Sequence, residues 1–291
     1  MSIVHYLPSV LSAPVRHMLL STFFFAVMNG CIKKIGHLPA WELVAFRSLT
    51  TFVITIWIIR GMNINWLGNS RLTLFLRGLF GSLALYFFFR SLTVMPLATA
   101  VTIQFTSPIF TTLIGIAVNN EKVKWIQWVF LLISFSGIVL LKGVQTTIST
   151  EAFFIGLASA GFSGLAYNMI RRMKEAENPH VIVLHFQIIG MLLGGISLCV
   201  DFALPQADDM LYILAMGGFA YLGQIHLTRA LQGERLGIIT SLNYLGVFYS
   251  LILGWIFFHE PIDAKTLMAM TLVVSGVVLN VFWGNKNETT A

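Results

Sequence analysis

Apolar runs of about twenty residues, separated by short polar breaks, dominate this chain. They fall at about 16–35, 40–60, 72–93, 97–118, 124–142, 152–171, 179–200, 209–230, 236–257 and 262–283. Each run is long enough to carry a helix across the hydrocarbon core of a bilayer. Backbone in hydrocarbon must satisfy its own hydrogen bonds, which predicts a helix for every run. The breaks are Gly36-His37-Leu38-Pro39, the stretches 61–70 and 145–150, and the charged stretch 174–178, none of which holds a soluble domain. The pattern predicts an all-α, polytopic membrane protein of ten transmembrane helices.

Composition supports that reading. Hydrophobic residues make up 57% of the 291 and charged residues 10%, against about 25% charged in soluble chains. So little polar surface cannot cover the molecule in water. The formal net charge of +6 raises the question of a polyanion partner. The eighteen Lys and Arg, however, sit scattered at the ends of apolar runs with no basic block, which is a charge signature of topology. No nucleic-acid partner is expected. With a cytoplasmic N-terminus, 11 of these cations face the cytoplasm and 5 the outside, while Arg47 and Arg77 fall within spans. Both termini are thus expected in the cytoplasm, with the chain in the inner cell membrane. The first fifteen residues lack a charged region followed by a cleavage site, so the first run reads as a retained span. Cys31 and Cys199 make no CxxC or metal spacing, and no metal or cofactor is expected.

An internal repeat emerges when the sequence is shifted by 139 residues without a gap. Asn29 then falls on Asn168, Gly78 on Gly217, Arg90 on Arg229, Gly115 on Gly254 and Glu121 on Glu260. Ser136-Gly137 falls on Ser275-Gly276, and Thr102-Ile103-Gln104-Phe105 on Ser241-Leu242-Asn243-Tyr244. Paired charges, amides and glycines at one offset are hard to obtain by chance in apolar helices. Each half, 16–143 and 152–284, holds five predicted spans, an odd number, so the halves are expected to enter the membrane from opposite sides. Such inverted repeats suit alternating access to a midplane site.

The segments FFFRSLTVMPLATAVTIQFTSPIFTTLIGIAVNNE (87–121) and LTRALQGERLGIITSLNYLGVFYSLILGWIFFHE (227–260) resemble the two EamA-type repeats of the drug/metabolite transporter superfamily. The resemblance rests on Arg90-Ser91-Leu92, Glu121 and Ser136-Gly137, and on Arg229-Ala230-Leu231, Glu260 and Ser275-Gly276. It covers about 16–283 and departs from the family at Gly246-Val247, where a Glu-Pro pair is frequent, although Pro108 is retained. It implies a secondary transporter of small organic solutes such as amino acids, other metabolites or drugs. The alternative it implies is an importer of a metabolite such as S-adenosylmethionine or riboflavin.

Polar residues within spans are the candidates for chemistry, because hydrocarbon penalises them. Arg47 either attracts an anionic solute group or snorkels; Glu42, about 140° away on the helix, is poorly placed to pair with it. Arg77 is read as snorkelling toward the cytoplasm or lining a vestibule. Gln104 and Asn243 are repeat-related amides, as are Asn29 and Asn168, and each suits either a solute site or an interhelical hydrogen bond. Tyr86 and Tyr244 offer aromatic walls, with Tyr221, Gln224 and Tyr249 as further contacts. His185 and His226 are candidates for proton coupling, or plain helix contacts. Pro108 marks a gate or a static kink. Glu121 and Glu260 are expected to complement the N-termini of the helices they precede. All twelve Asp and Glu lie in loops or near span ends, so coupling is expected through histidine or to be absent. The expected partners are a small solute and the lipid bilayer, with the chain as monomer or homodimer. No HExxH, phosphate-binding loop or GxSxG is present, which weighs against an enzyme. A structural or accessory membrane protein is the other non-transport alternative.

Overall fold

The computed structural model describes residues 13–119, 125–144, 148–173, 176–199, 202–233 and 245–285. Among them there is no strand. The elements are α1 (Ala13–Lys34), α2 (Ala40–Gly61), α3 (Arg71–Val94), α4 (Leu97–Gln104), α5 (Ser107–Asn119), α6 (Trp125–Val144), α7 (Thr150–Arg172), α8 (Pro179–Leu198), α9 (Ala207–Gly233), α10 (Leu245–Phe258) and α11 (Ala264–Asn285).

The run predicted as one span at 97–118 is two helices, α4 and α5. Pro108, near the start of α5, has no N–H to give a carbonyl in the preceding turn. Phe105 N still donates to Val101 O in the α pattern, and the chain then tightens, with Thr106 N donating to Ile103 O and Ile109 N to Thr106 O. Pro108 sits in a first helical turn, where the missing donor costs little.

Six segments are long and apolar enough to cross a membrane: α2, α3, the stretch 97–115, α7, α8 and α9. Shorter apolar stretches lie in α6, α10 and α11. The protein is a multi-pass membrane protein. Its outward faces are apolar, and Trp57 and Trp125 are each 77% exposed, as suits rings at a lipid-facing surface.

The inside is held by small and hydroxylated residues. Helices in lipid gain little from burying apolar surface against one another, so close packing and hydrogen bonds hold them together. Ser21 Oγ donates to Gly223 O at 2.9 Å, linking α1 to α9. Thr51 Oγ1 donates to Gly217 O at 3.1 Å, linking α2 to α9, and Ser159 Oγ donates to Ala84 O at 2.8 Å, linking α7 to α3. At Gly137, α6 meets α11 so closely that a Cβ would stand 2.7 Å from Val273 N.

The main helix contacts run between the halves, and they form exchange-related sets. With the helices of each half taken in chain order, α1 packs on α9 as α7 packs on α3. In the same way α2 packs on α9 as α8 packs on α3, and α5 packs on α7 as α10 packs on α1. The pairs α2 with α8, α4 with α10, and α6 with α11 join helices that lie in equivalent apolar runs of the two halves.

Ion pairs and backbone caps fasten the helix ends. Lys33 Nζ lies 2.8 Å from Glu260 Oε1 and donates to Met95 O at 2.9 Å. Both oxygens of Glu260 accept from Leu97 N at 3.0 Å. Glu260 therefore caps α4, in the other half of the chain, rather than α11, which follows it in sequence. His37 Nε2, just after α1, lies 3.1 Å from Asp209 Oδ2 in the first turn of α9. At the start of α3, the backbone N–H groups of Asn69 and Ser70 donate to Glu177 Oε1.

Candidate functional site

A cavity of about 120 Å³ lies where the two halves meet. It is walled by α1, α2, α3 and α4 from the first half and by α7, α8, α9 and α10 from the second. Its size is comparable to that of apolar cavities known to hold a single benzene ring. Most of the wall is apolar, including Phe25, Met28, Leu85, Phe88, Val101 and Phe105.

Residues related by the offset of 139 face this one space. Arg47 and Phe186 both line it, as do Met28 and Tyr167, Leu85 and Gln224, and Phe88 and Leu227. The cavity thus straddles the relation between the halves.

Arg47 is fully buried on α2, and Arg77 is 3% exposed on α3. Arg47 Nη1 donates to Gln187 Oε1 at 3.2 Å, and Arg77 Nη2 donates to Gln224 Oε1 at 3.4 Å. Both guanidiniums lie over the Phe186 ring, at 5.3 Å and 4.2 Å from its centroid. A cation over an aromatic face gains electrostatically from the ring quadrupole. Gly81 makes space for the second of them: a Cβ there would collide with Arg77 Nη1 and stand 2.8 Å from Phe186 Cε2. Of the two readings open for Arg77, it takes the inward one: it turns into the bundle and lines the cavity rather than snorkelling to the surface. The signal for it was its depth, six residues into α3.

The other candidates divide. Gln104, at the end of α4, lines the cavity; its Nε2 donates to Ser163 Oγ at 2.7 Å and its Oε1 accepts from Ser159 Oγ. Asn29 lines the cavity and its Oδ1 has no partner among the described residues. Asn168 points elsewhere, donating to Thr111 O at 3.1 Å and to Gly164 O at 3.0 Å, so it ties α7 to α5. Tyr86 stacks on Trp41 with centroids 4.4 Å apart, outside the cavity wall. Asn243 and Tyr244 lie outside the described residues. His185 Nδ1 bonds Val181 O of its own helix at 3.1 Å. His226 Nδ1 meets His17 Nδ1 at 2.6 Å, joining α9 to α1, and stacks near Phe24. Neither His185 nor His226 lines the cavity. Among the residues not singled out by sequence are Ser163, Phe186 and Ser250. Small hydroxyls and a lone Phe in apolar helices carry no signal of their own, although the offset does set Phe186 opposite Arg47.

Comparison with known proteins brings the same two-part division. A pseudopaline exporter from Pseudomonas aeruginosa is 28% identical, over 88% of this chain and 91% of its own length. Human solute carrier family 35 member G1 is 28% identical over 83% of this chain and 71% of its own. An S-adenosylmethionine uptake transporter from Rickettsia prowazekii is 21% identical over 94% and 93%. A crystal structure with 16% identity superposes with a TM-score of 0.66, covering 93% of this chain and 98% of that one, which shows the shared fold. The family model of the EamA-like transporters matches twice, at residues 15–143 and 150–282. With both halves matched and their walls closing one cavity, the chain belongs to the EamA-like transporter family.

Proposed function

We propose that this protein is a secondary transporter that binds a small organic solute in the cavity between its halves and exposes it alternately to the two sides of the cytoplasmic membrane. The observation that carries this reading is the lining by repeat-related residues, above all Arg47 with Phe186. A site built equally from two similar halves stays intact while the halves exchange conformations around it. The inverted arrangement of 16–143 and 152–284 and cytoplasmic termini, from the 11-to-5 distribution of cations, belong to the same proposal.

Direction is a separate matter, since relatives of this chain include both an exporter and an uptake transporter. The test is therefore free of direction. Comparing metabolites inside cells and in the medium, with and without the protein, selects solutes. Each is then assayed by counterflow in proteoliposomes. Counterflow of at least one selected solute is the expected result; a purified, folded protein that drives none would overturn the reading.

A further inference from the structure

We infer that the cavity takes its solute by a carboxylate, and that Arg47 and Arg77 are the two halves of the clamp that binds it. The inference rests on the transport reading above and names its substrate class: an organic anion with a carboxylate head on an apolar body.

Arg47 spends one nitrogen on Gln187 and leaves Nε and Nη2 without partners among the described residues. Arg77 spends one on Gln224 and leaves Nε and Nη1 without partners. Gln187 and Gln224 are neutral, so neither guanidinium is neutralised by the contacts it makes. No carboxylate among the described residues lies within ion-pair distance of either. Leaving two buried cations unneutralised, with four nitrogens lacking acceptors, is costly unless something compensates.

Geometry favours one anion serving both. The two groups share the Phe186 ring, which places them no more than about 10 Å apart, close enough to repel. An anion between them relieves that repulsion and supplies the missing acceptors. A planar carboxylate matches the fork of guanidinium donors, accepting two parallel hydrogen bonds, and its small, singly charged head suits a cavity of about 120 Å³. The rest of the wall, with Phe25, Leu85, Phe88 and Phe105, suits an apolar body. A cationic group would enter a cavity whose described charged residues are both positive.

The test uses the full-length protein in detergent, with phenylacetate and 3-methylbutanoate as probes and their uncharged primary amides as controls. The carboxylates are expected to raise the melting temperature and the amides to leave it unchanged. Arg77→Met and Arg47→Met should each weaken the carboxylate response roughly tenfold to a hundredfold. Both should also melt higher than the parent without ligand, because an unneutralised buried cation has been removed. Arg77→Lys keeps the charge but loses the fork, and should fall between.

Equal responses to acid and amide would overturn the clamp. So would Met variants that melt lower and keep the full carboxylate response, since that would make the arginines structural pins. The two readings fail separately. Counterflow of only neutral or cationic solutes, insensitive to Arg47→Met and Arg77→Met, removes the carboxylate clamp and leaves transport standing. Absence of all counterflow, with the carboxylate shift intact, removes transport and leaves an anion site.

Discussion

Arg47 rests on Phe186, the residue that occupies its own position in the other half of the chain, with the guanidinium 5.3 Å from the ring centroid. At one point in the repeat the protein has therefore placed a charge in one copy and its aromatic support in the other. The halves make exchange-related helix contacts yet differ in chemistry at this position. Phe186 also lies under Arg77, so a single ring holds both cations in place.

Removing that ring tests its role. Phe186→Leu should cost roughly 1–3 kcal/mol, combining a partial loss of buried volume with the loss of two cation–π contacts. The expected outcome is a lower melting temperature together with weaker solute binding. A variant as stable as the parent would show that the ring supports neither cation.

Gln104 and Asn168 should separate cleanly. Gln104 lines the cavity, whereas Asn168 bonds two carbonyls on α5 and α7. Gln104→Ala is expected to weaken solute binding by about 1 kcal/mol. Asn168→Ala should lower the melting temperature and leave affinity per folded molecule unchanged. Thermal stability and solute affinity, measured on both variants, check this pair of outcomes.

Lys33 and Glu260 form a partly screened pair, with side chains 17% and 15% exposed. Glu260 also caps Leu97 N, so the two single variants should not be equivalent. Lys33→Met is expected to cost up to about 1 kcal/mol and Glu260→Gln somewhat more, because the cap is weakened too. The double variant should cost less than the sum of the two, and a double-mutant cycle measures the difference.

Proton coupling, where present, should run through His226. Its ring meets His17 across the α1–α9 contact, while His185 is bonded to its own helix. Counterflow should proceed without an ion gradient. Any extra accumulation under an imposed proton gradient should disappear in His226→Gln and persist in His185→Gln. A strict proton requirement that survives in the variant lacking both would rule out histidine coupling.

Topology can be checked directly. Reporter fusions after Gly143 and after Lys286 are expected on opposite sides of the membrane. The same side for both would rule out the inverted arrangement.

The helices were readable because hydrocarbon leaves few choices: a run as apolar as 40–60 must be helical, and α2 is Ala40–Gly61. The break after Gln104 was signalled by Pro108, whose missing donor is visible in sequence. Which way a side chain faces was not readable. Asn29 and Asn168 are one residue type at equivalent positions, yet one lines the cavity and the other ties helices, because their neighbours differ. At Gly164 the absence of a side chain brings α5 close: a Cβ there would lie 2.9 Å from Thr111 N. That approach puts the Thr111 carbonyl within reach of Asn168. The two readings of Arg77 could not be separated in sequence for a similar reason, since the room for its guanidinium is made by Gly81, four residues along the same helix.

The pairing of α1 with α9 and of α7 with α3 has a consequence for how the chain can be divided. Each half sends its helices into the other, so the surface between them is an interior rather than a boundary. A polypeptide cut between 143 and 150 and made as two pieces would be two incomplete objects, the first presenting buried Ser, Thr and Arg side chains to lipid and the second buried Ser, Thr, Asn and Gln. They would need one another before either could hold a solute. The unit that transports is the pair, and the covalent link between its members is a matter of delivery.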